Sequence, residues 1–263
     1  MRISAVQMVV QTGDFRGNLK RAYQGISEAA YRRSQVIVLP EMWTVGFAYP
    51  KLADLATDTF TPALTFLRDV AQESKAWILG SLPVTEGGNL YNAMHFVSPE
   101  GELVRSYRKM HLFAPIHEDE FFTPGNEVTA VDMDKCRAGA LICFDLRFPE
   151  LARRLALAGS NVIFVPAQFP HPRAEHWQVL IRARAIENQL FVVACNRTGE
   201  GDGLSFFGQS MVVDPWGVVI DALDDRPGVL TVDINLHMVD DVRSRIATYS
   251  ARRPDIYGNL MGV

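Results

Sequence analysis

Ala138-Gly-Ala-Leu-Ile142, Cys143-Phe-Asp-Leu-Arg-Phe148, Pro149-Glu-Leu-Ala-Arg-Arg-Leu-Ala-Leu-Ala158, Gly159-Ser160 and Asn161-Val-Ile-Phe-Val165 follow one another without a break. The first and last pieces are short apolar runs of strand length. The third is amphipathic at helical spacing, opens on a proline and is stopped by a glycine. A strand, a short turn, a helix and a second strand in this order imply a sheet covered by helices.

The alternation extends both ways. Residues 17–33 set Leu19, Tyr23, Ile26 and Ala30 at helical spacing ahead of a short apolar strand at 35–39. Residues 61–74 carry Leu64, Leu67 and Ala71 along one side and lead into a strand at 76–79, closed by Gly80. Segments 91–97 and 102–107 flank Ser98-Pro-Glu-Gly101, a hairpin signal. Downstream, 177–188 predicts a helix and 190–194 a strand. Segments 211–213 and 218–220 flank Asp214-Pro-Trp-Gly217, and 229–234 precedes a last helix from about residue 236. Hairpins among the alternating elements predict mixed sheets in a layered α/β fold. No Pro/Gly/Ser-rich linker or charge block divides the chain, so one domain over 1–263 is expected.

With 263 residues, 48% hydrophobic and 21% charged, the chain can bury a large core without staples. Its formal charge of −4 and pI near 5.9 give no basic footprint for nucleic acid or an anionic membrane, so a small molecule is the expected partner. Three widely spaced cysteines, Cys136, Cys143 and Cys195, are unlike a disulfide framework and point to a reducing compartment. No stretch approaches the roughly 20 apolar residues of a membrane span, and the start lacks a signal-peptide pattern, so a cytoplasmic location is expected. The histidine and cysteine spacings fit no common zinc pattern; no metal or cofactor is expected. Gly199-Glu-Gly-Asp-Gly203 lacks a phosphate-loop lysine and reads as a flexible loop.

Three residues stand out at strand ends. Cys143 lies in a strand-to-helix turn, where a nucleophile is exposed, backbone N–H groups can face an oxyanion, and a helix N-terminus favours the thiolate. Glu41 emerges from the apolar run Val36-Ile-Val-Leu-Pro-Glu-Met-Trp43 and is a candidate general base. Lys109 follows the second strand of a hairpin. Each alone has a bland reading: a core thiol, a loop carboxylate, an edge cation. Together they supply the base, cation and nucleophile that acyl transfer needs.

The sequence resembles the nitrilase superfamily of carbon–nitrogen hydrolases through Leu39-Pro-Glu-Met-Trp43, Tyr107-Arg-Lys-Met-His-Leu-Phe113 and Leu141-Ile-Cys-Phe-Asp-Leu-Arg-Phe-Pro-Glu150. The order Glu, Lys, Cys matches too, and the likeness continues through Phe122-Thr-Pro-Gly125, His176-Trp177, 182–189 and 214–217. Pro40-Glu-Met-Trp-Thr-Val-Gly-Phe47 and Pro170-His-Pro-Arg-Ala-Glu-His-Trp177 look most like the bacterial ω-amidases within it. The resemblance implies a four-layer α-β-β-α sandwich, usually dimerised, and a reaction on a small amide through a thioester at Cys143. Glu41 would be the base, with Lys109 and the backbone N–H of Phe144 as oxyanion donors. A second glutamate, Glu118 with Glu120 as rival, would orient Lys109 and the substrate nitrogen.

Arg173 suits a substrate carboxylate, and Phe47 and Gln168 lie on loops that would shape the pocket. Asp145 and Arg147 are expected to brace the turn by a salt bridge, and Glu187 to be structural. The same triad could act on a nitrile or an N-carbamoyl amine, and the fold could also serve as a non-enzymatic partner-binding scaffold.

Overall fold

The computed structural model describes residues 1–258. Its first half comprises strand β1 (Arg2–Gln7), helix α1 (Phe15–Tyr31), strand β2 (Val36–Val38), helix α2 (Leu52–Ser74) and strands β3 (Trp77–Glu86), β4 (Asn89–Val97) and β5 (Leu103–Arg108). A short helix α3 (Glu118–Phe121) leads to strands β6 (Ala130–Met133) and β7 (Cys136–Ala140), helix α4 (Pro149–Leu157), strand β8 (Val162–Ala167), helix α5 (Ala174–Asn188) and strand β9 (Phe191–Asn196). Strands β10 (Thr198–Gly201), β11 (Leu204–Phe207), β12 (Met211–Val213), β13 (Val219–Ala222) and β14 (Gly228–Asp233) and helices α6 (His237–Arg245) and α7 (Pro254–Tyr257) follow.

Two six-stranded sheets result, in the orders β14-β1-β2-β3-β4-β5 and β13-β12-β9-β8-β7-β6. Read from β14 in the first and β6 in the second, their pairings run the same way: antiparallel, parallel, parallel, antiparallel, antiparallel. The sheets are mixed, as the hairpins among alternating elements require.

Side-chain alternation explains the layers. Val36 and Val38 of β2 belong to an apolar cluster with Ile3, Ala5 and Phe96, and with Ala138 and Ala140 of the second sheet. Ile37, between them, belongs to a second cluster with Ile26 of α1 and Leu67 and Val70 of α2. The far face of the second sheet is covered by Leu151 and Leu155 of α4 and Trp177 and Ile181 of α5. Full burial of each such aliphatic side chain contributes about 1.5–3 kcal/mol. Helix, sheet, sheet and helix therefore stack in four layers. Both carbonyls Val38 O and Val6 O of the first sheet lie within reach of the single Cys195 S–H of the second, at 3.3 and 3.4 Å.

Three elements differ from the sequence reading. Strand β1 lies where the sequence reading has no element. Helix α2 starts at Leu52 and runs through Pro62, because Leu52, Ala56 and Thr59 already form a buried stripe whose small and hydroxylic members give little apolar signal. The glycine-rich 199–203 segment is part of the β10–β11 hairpin, not a loose loop: Asp202 and Gly203 take φ +56° and +73°, the paired left-handed turn that Asp-Gly favours.

The ends of β2, β5, β7 and β8 carry Glu41, Lys109, Cys143 and Gln168 to one place, as open sheets of this kind do with ligand crevices.

Candidate active site

Lys109 follows β5 directly, its backbone N–H donating to Asn92 O on β4 at 2.9 Å. Its ammonium donates to Glu41 Oε1 at 2.8 Å and to both oxygens of Glu118, at 2.8 and 2.7 Å. All three side chains are essentially inaccessible, at 1% exposure or less. Asn92 Nδ2 donates to Glu41 Oε1 at 2.8 Å and reaches Glu118 Oε1 at 3.3 Å. The backbone N–H of Phe113 donates to Glu118 Oε2 and that of Gln168 to Glu41 Oε2, each at 2.8 Å.

Burial alone would discharge the lysine. The carboxylates of Glu118 and then Glu41 outweigh it and hold the ammonium well above its ordinary value. Burial pushes Glu118 up; Lys109 counters that, while the Glu41 charge adds to it. Glu118 opens α3 behind His117, which takes a left-handed φ of +62°. Glu120 sits on the exposed side, 2.7 Å from His117 Nδ1, and is not part of the cluster.

Cys143 starts a single 3₁₀ turn spanning Cys143–Arg147 and takes φ +45°, as does Met42 immediately after Glu41. Left-handed backbone at non-glycine residues costs of order 1 kcal/mol each and collects at functional sites. Asp145 holds the turn. Its Oδ2 accepts from Ile142 N at 2.9 Å and from the Tyr107 hydroxyl at 2.7 Å. Its Oδ1 accepts from His111 N at 3.0 Å, with His111 Nδ1 2.8 Å away. The turn is thereby tied to the segment that carries Lys109.

Two expectations change here. Asp145 braces the turn through these partners and not through Arg147, whose guanidinium lies 3.2 Å from His176 Nδ1 and over the Phe169 ring. Nor is the thiol acidic in this turn. Burial, and then the Glu41 charge, push Cys143 well above the ordinary thiol range, against the pull of Lys109.

Cys143, Lys109, Phe144 and Gln168 line one cavity with Phe47, Phe113, Arg147 and Arg173. The structure thus gathers Glu41, Lys109, Glu118 and Cys143 beside Phe47, Gln168 and Arg173. Arg173 lies over the Phe113 ring at 5.3 Å and lowers Arg147 by charge repulsion, second to burial. The Gln168 amide is engaged by protein at both ends, with Nε2 on Glu41 O at 2.9 Å and Oε1 receiving Arg197 Nη1 at 2.8 Å. A roomier groove over β4 and β5 lies away from this chemistry, and its Arg105 and Arg108 are paired with Glu127 and Glu86.

Sequence reasoning missed Arg147 and Asn92 as members of the site and Arg197 behind it. Arg147 left a signal in the cysteine motif, and Asn92 as a polar residue, with His95, between the apolar residues of its strand. Glu187 pairs with Arg184 on α5, away from the site. Among the described residues no group of three or more His, Cys, Asp or Glu is arranged to hold a metal.

A family model described as carbon-nitrogen hydrolase matches residues 2–244. The 2-oxoglutaramate amidase of Bacillus subtilis is 36% identical over 256 residues, covering 97% of this chain and 98% of that protein. The omega-amidase of Mus musculus is 32% identical, covering 91% of each. Among solved structures, a CN-hydrolase superfamily protein from Xanthomonas campestris with an arsenic adduct in its active site superposes with a TM-score of 0.89. It is 31% identical, with 96% of this chain and 97% of that one covered. An amidase mutant from Nesterenkonia sp. AN1, bearing acrylamide added at its active-site cysteine, gives a TM-score of 0.85 at 27% identity over 93% of this chain and 97% of that one.

Proposed function

Because this chain belongs to the carbon-nitrogen hydrolase family, we propose that it is an ω-amidase, converting a 2-oxo dicarboxylic acid monoamide to the dicarboxylate and ammonia. The observation that carries this reading is the Lys109 ammonium held between two buried carboxylates on the wall of the cavity that Cys143 shares with Arg147 and Arg173.

Glu41 takes the thiol proton as Cys143 attacks the amide carbonyl. Because the thiol rests protonated, transfer accompanies attack and no free thiolate is stored. The C–S bond forms as the carbonyl becomes a tetrahedral oxyanion, which Lys109 and the Phe144 N–H receive; one such donor is typically worth about 10²–10³ in rate. Glu118 keeps Lys109 in place and accepts from the substrate N–H. Protonated Glu41 returns its proton to the leaving nitrogen, the C–N bond breaks and ammonia departs. Glu41 then deprotonates a water that cleaves the thioester.

Arg173, joined by Arg147, receives the far carboxylate, since guanidinium groups bind carboxylates strongly where apolar walls exclude water. Phe47 and Phe113 supply those walls.

The protein works as a cytoplasmic homodimer or higher homo-oligomer. In support, Val179 and Ile186 of α5 and Trp216 of the β12–β13 turn are exposed apolar residues. Ile186 and the Trp216 turn touch at Gly217, where an added Cβ would fall 2.4 Å from Ile186. No helix of the described residues is long and apolar enough to cross a membrane.

The test is a panel of 2-oxoglutaramate, 2-oxosuccinamate, glutamine, an aliphatic amide, an N-carbamoyl amine and a nitrile, with wild type and Cys143→Ala. Fastest release of ammonia from the 2-oxo ω-amides, abolished in the mutant, is expected. Preference for the nitrile or carbamoyl compound would move the substrate class and keep the chemistry.

A further inference from the structure

Arg197 is a buried cation without a carboxylate. It follows β9, is 0% exposed and forms no ion pair among the described residues; Asp202 acts on it only from beyond bonding distance. Its Nη1 donates to Gln168 Oε1 at 2.8 Å, its Nη2 to Val10 O and, at 3.1 Å, to Glu200 O, and Phe206 lies 4.0 Å beneath the guanidinium. Burial lowers its pKa to about 10. Burying an unpaired charge is destabilising, so packing alone gives no account of an arginine here.

Its consequence is read at Gln168. A guanidinium has only donors, so the amide must turn its oxygen toward Arg197 and its nitrogen toward Glu41 O. The same residue's backbone N–H holds Glu41 Oε2 at 2.8 Å. Gln168 therefore grips Glu41 twice, its backbone N–H on the carboxylate and its side-chain amide on the main-chain carbonyl, and Arg197 fixes the direction of the second of these. With the amide reversed, two carbonyl oxygens would confront each other at 2.9 Å.

We propose that Arg197 is a positioning residue for the hydrolysis: by fixing the Gln168 amide on the Glu41 carbonyl it holds the Glu41 main chain, and with it the carboxylate, in the orientation from which it exchanges protons with Cys143 and the leaving nitrogen. The inference rests on the reading of Glu41 as the base. Arg197 touches neither Cys143 nor the cavity, and acts through Gln168 alone.

The test is steady-state hydrolysis of the best amide of the panel by Arg197→Met, Arg197→Lys, Gln168→Ala, Arg197→Met/Gln168→Ala and Glu41→Gln. Turnover is expressed per mole of folded protein, isolated by size-exclusion chromatography and checked by circular dichroism, which removes any unfolded fraction. Displacing a reacting group by about 1 Å costs up to about 10²-fold. Arg197→Met is therefore expected to lose about ten-fold or more in kcat with KM within about two-fold. Arg197→Lys, which keeps one donor for Gln168, recovers most of the loss, and the double variant is no slower than Gln168→Ala.

A folded Arg197→Met with wild-type kcat overturns the proposal. So does a double-variant loss equal to the product of the single losses. If Arg197→Met does not fold, Gln168→Ala decides, and wild-type turnover there is equally fatal. Wild-type turnover by Glu41→Gln would remove the base reading and this inference with it, whereas an inactive Glu41→Gln beside an unimpaired Arg197→Met removes the inference alone.

Discussion

Replacing Lys109 by methionine keeps the length of the stem and removes one charge. In the intact protein that ammonium makes three hydrogen bonds of 2.7–2.8 Å to two carboxylates that have no access to solvent. Deleting one partner of a buried ion pair costs about 3–5 kcal/mol, because the remaining charge stays buried and unpaired. For a chain of this size each kcal/mol moves Tm by roughly 2–4 °C, so a drop on the order of 10 °C is expected at pH 8.

The pH dependence has a definite sign. Lys109 is raised in the folded state, so its stabilisation is complete below its unfolded value of 10.5 and is lost only as pH climbs through the folded one. Glu118 is raised above 4.5, so folding favours its protonated form, and stability falls as pH rises from 4.5 through the folded value. Without the lysine to oppose burial and the Glu41 charge, Glu118 moves higher still. The deficit of Lys109→Met should be largest near pH 8 and shrink toward pH 5, and Lys109→Met/Glu118→Gln should recover at least half of it. Thermal melts by circular dichroism at pH 5, 6, 7 and 8 measure this. A Tm within about 2 °C of wild type at pH 8, or a deficit that grows on acidification, would refute the electrostatic account.

Cys143→Ala should lose all turnover and leave Tm within a few degrees, because the variant removes one sulfur from a residue already at the cavity wall; activity assays beside melting curves check both. Arg147→Ala and Arg173→Ala should each raise KM for carboxylated amides about ten-fold or more and leave an aliphatic amide unaffected, as read from parallel saturation curves. At pH 8 acrylamide should modify Cys143 alone by mass spectrometry, since Cys143 lines the cavity beside the Glu41 base, whereas Cys136 and Cys195 are buried away from it. Ile186→Asp should shift the assembly to smaller species by light scattering if the α5 face is the contact between copies.

The layered α/β class and the mixed sheets were legible in the sequence because side-chain periodicity records which face of each strand and helix is buried. Val36, Ile37 and Val38 show it, alternating between the inner and outer clusters. Glu41 and Cys143 stood out because each is a reactive side chain directly after an apolar run, a local pattern, whereas Lys109 follows the polar strand end Arg105-Ser-Tyr-Arg108 and stood out only beside them. Strand β1 carried little apolar signal because Arg2, Ser4 and Gln7 interrupt its apolar residues, and the buried Ser4 and Gln7 find their partners only across the fold, at Ser34, Thr231 and the carbonyls of Asp224 and Arg226. The Asp202-Gly203 turn carried a readable signal that the surrounding glycines hid.

What only tertiary structure decided is how charges distribute among partners remote in sequence. Lys109 takes two carboxylates, one of them 68 residues away, and Asp145 pairs with Tyr107 and His111 although Arg147 is two residues off. Gln168 meets Glu41 across 127 residues. Burial sets the protonation of Cys143 where the sequence suggested a helix terminus would. These outcomes depend on distance and dielectric in three dimensions, which residue spacing does not encode, whereas the apolar pattern that builds the sheets is written one residue after the next.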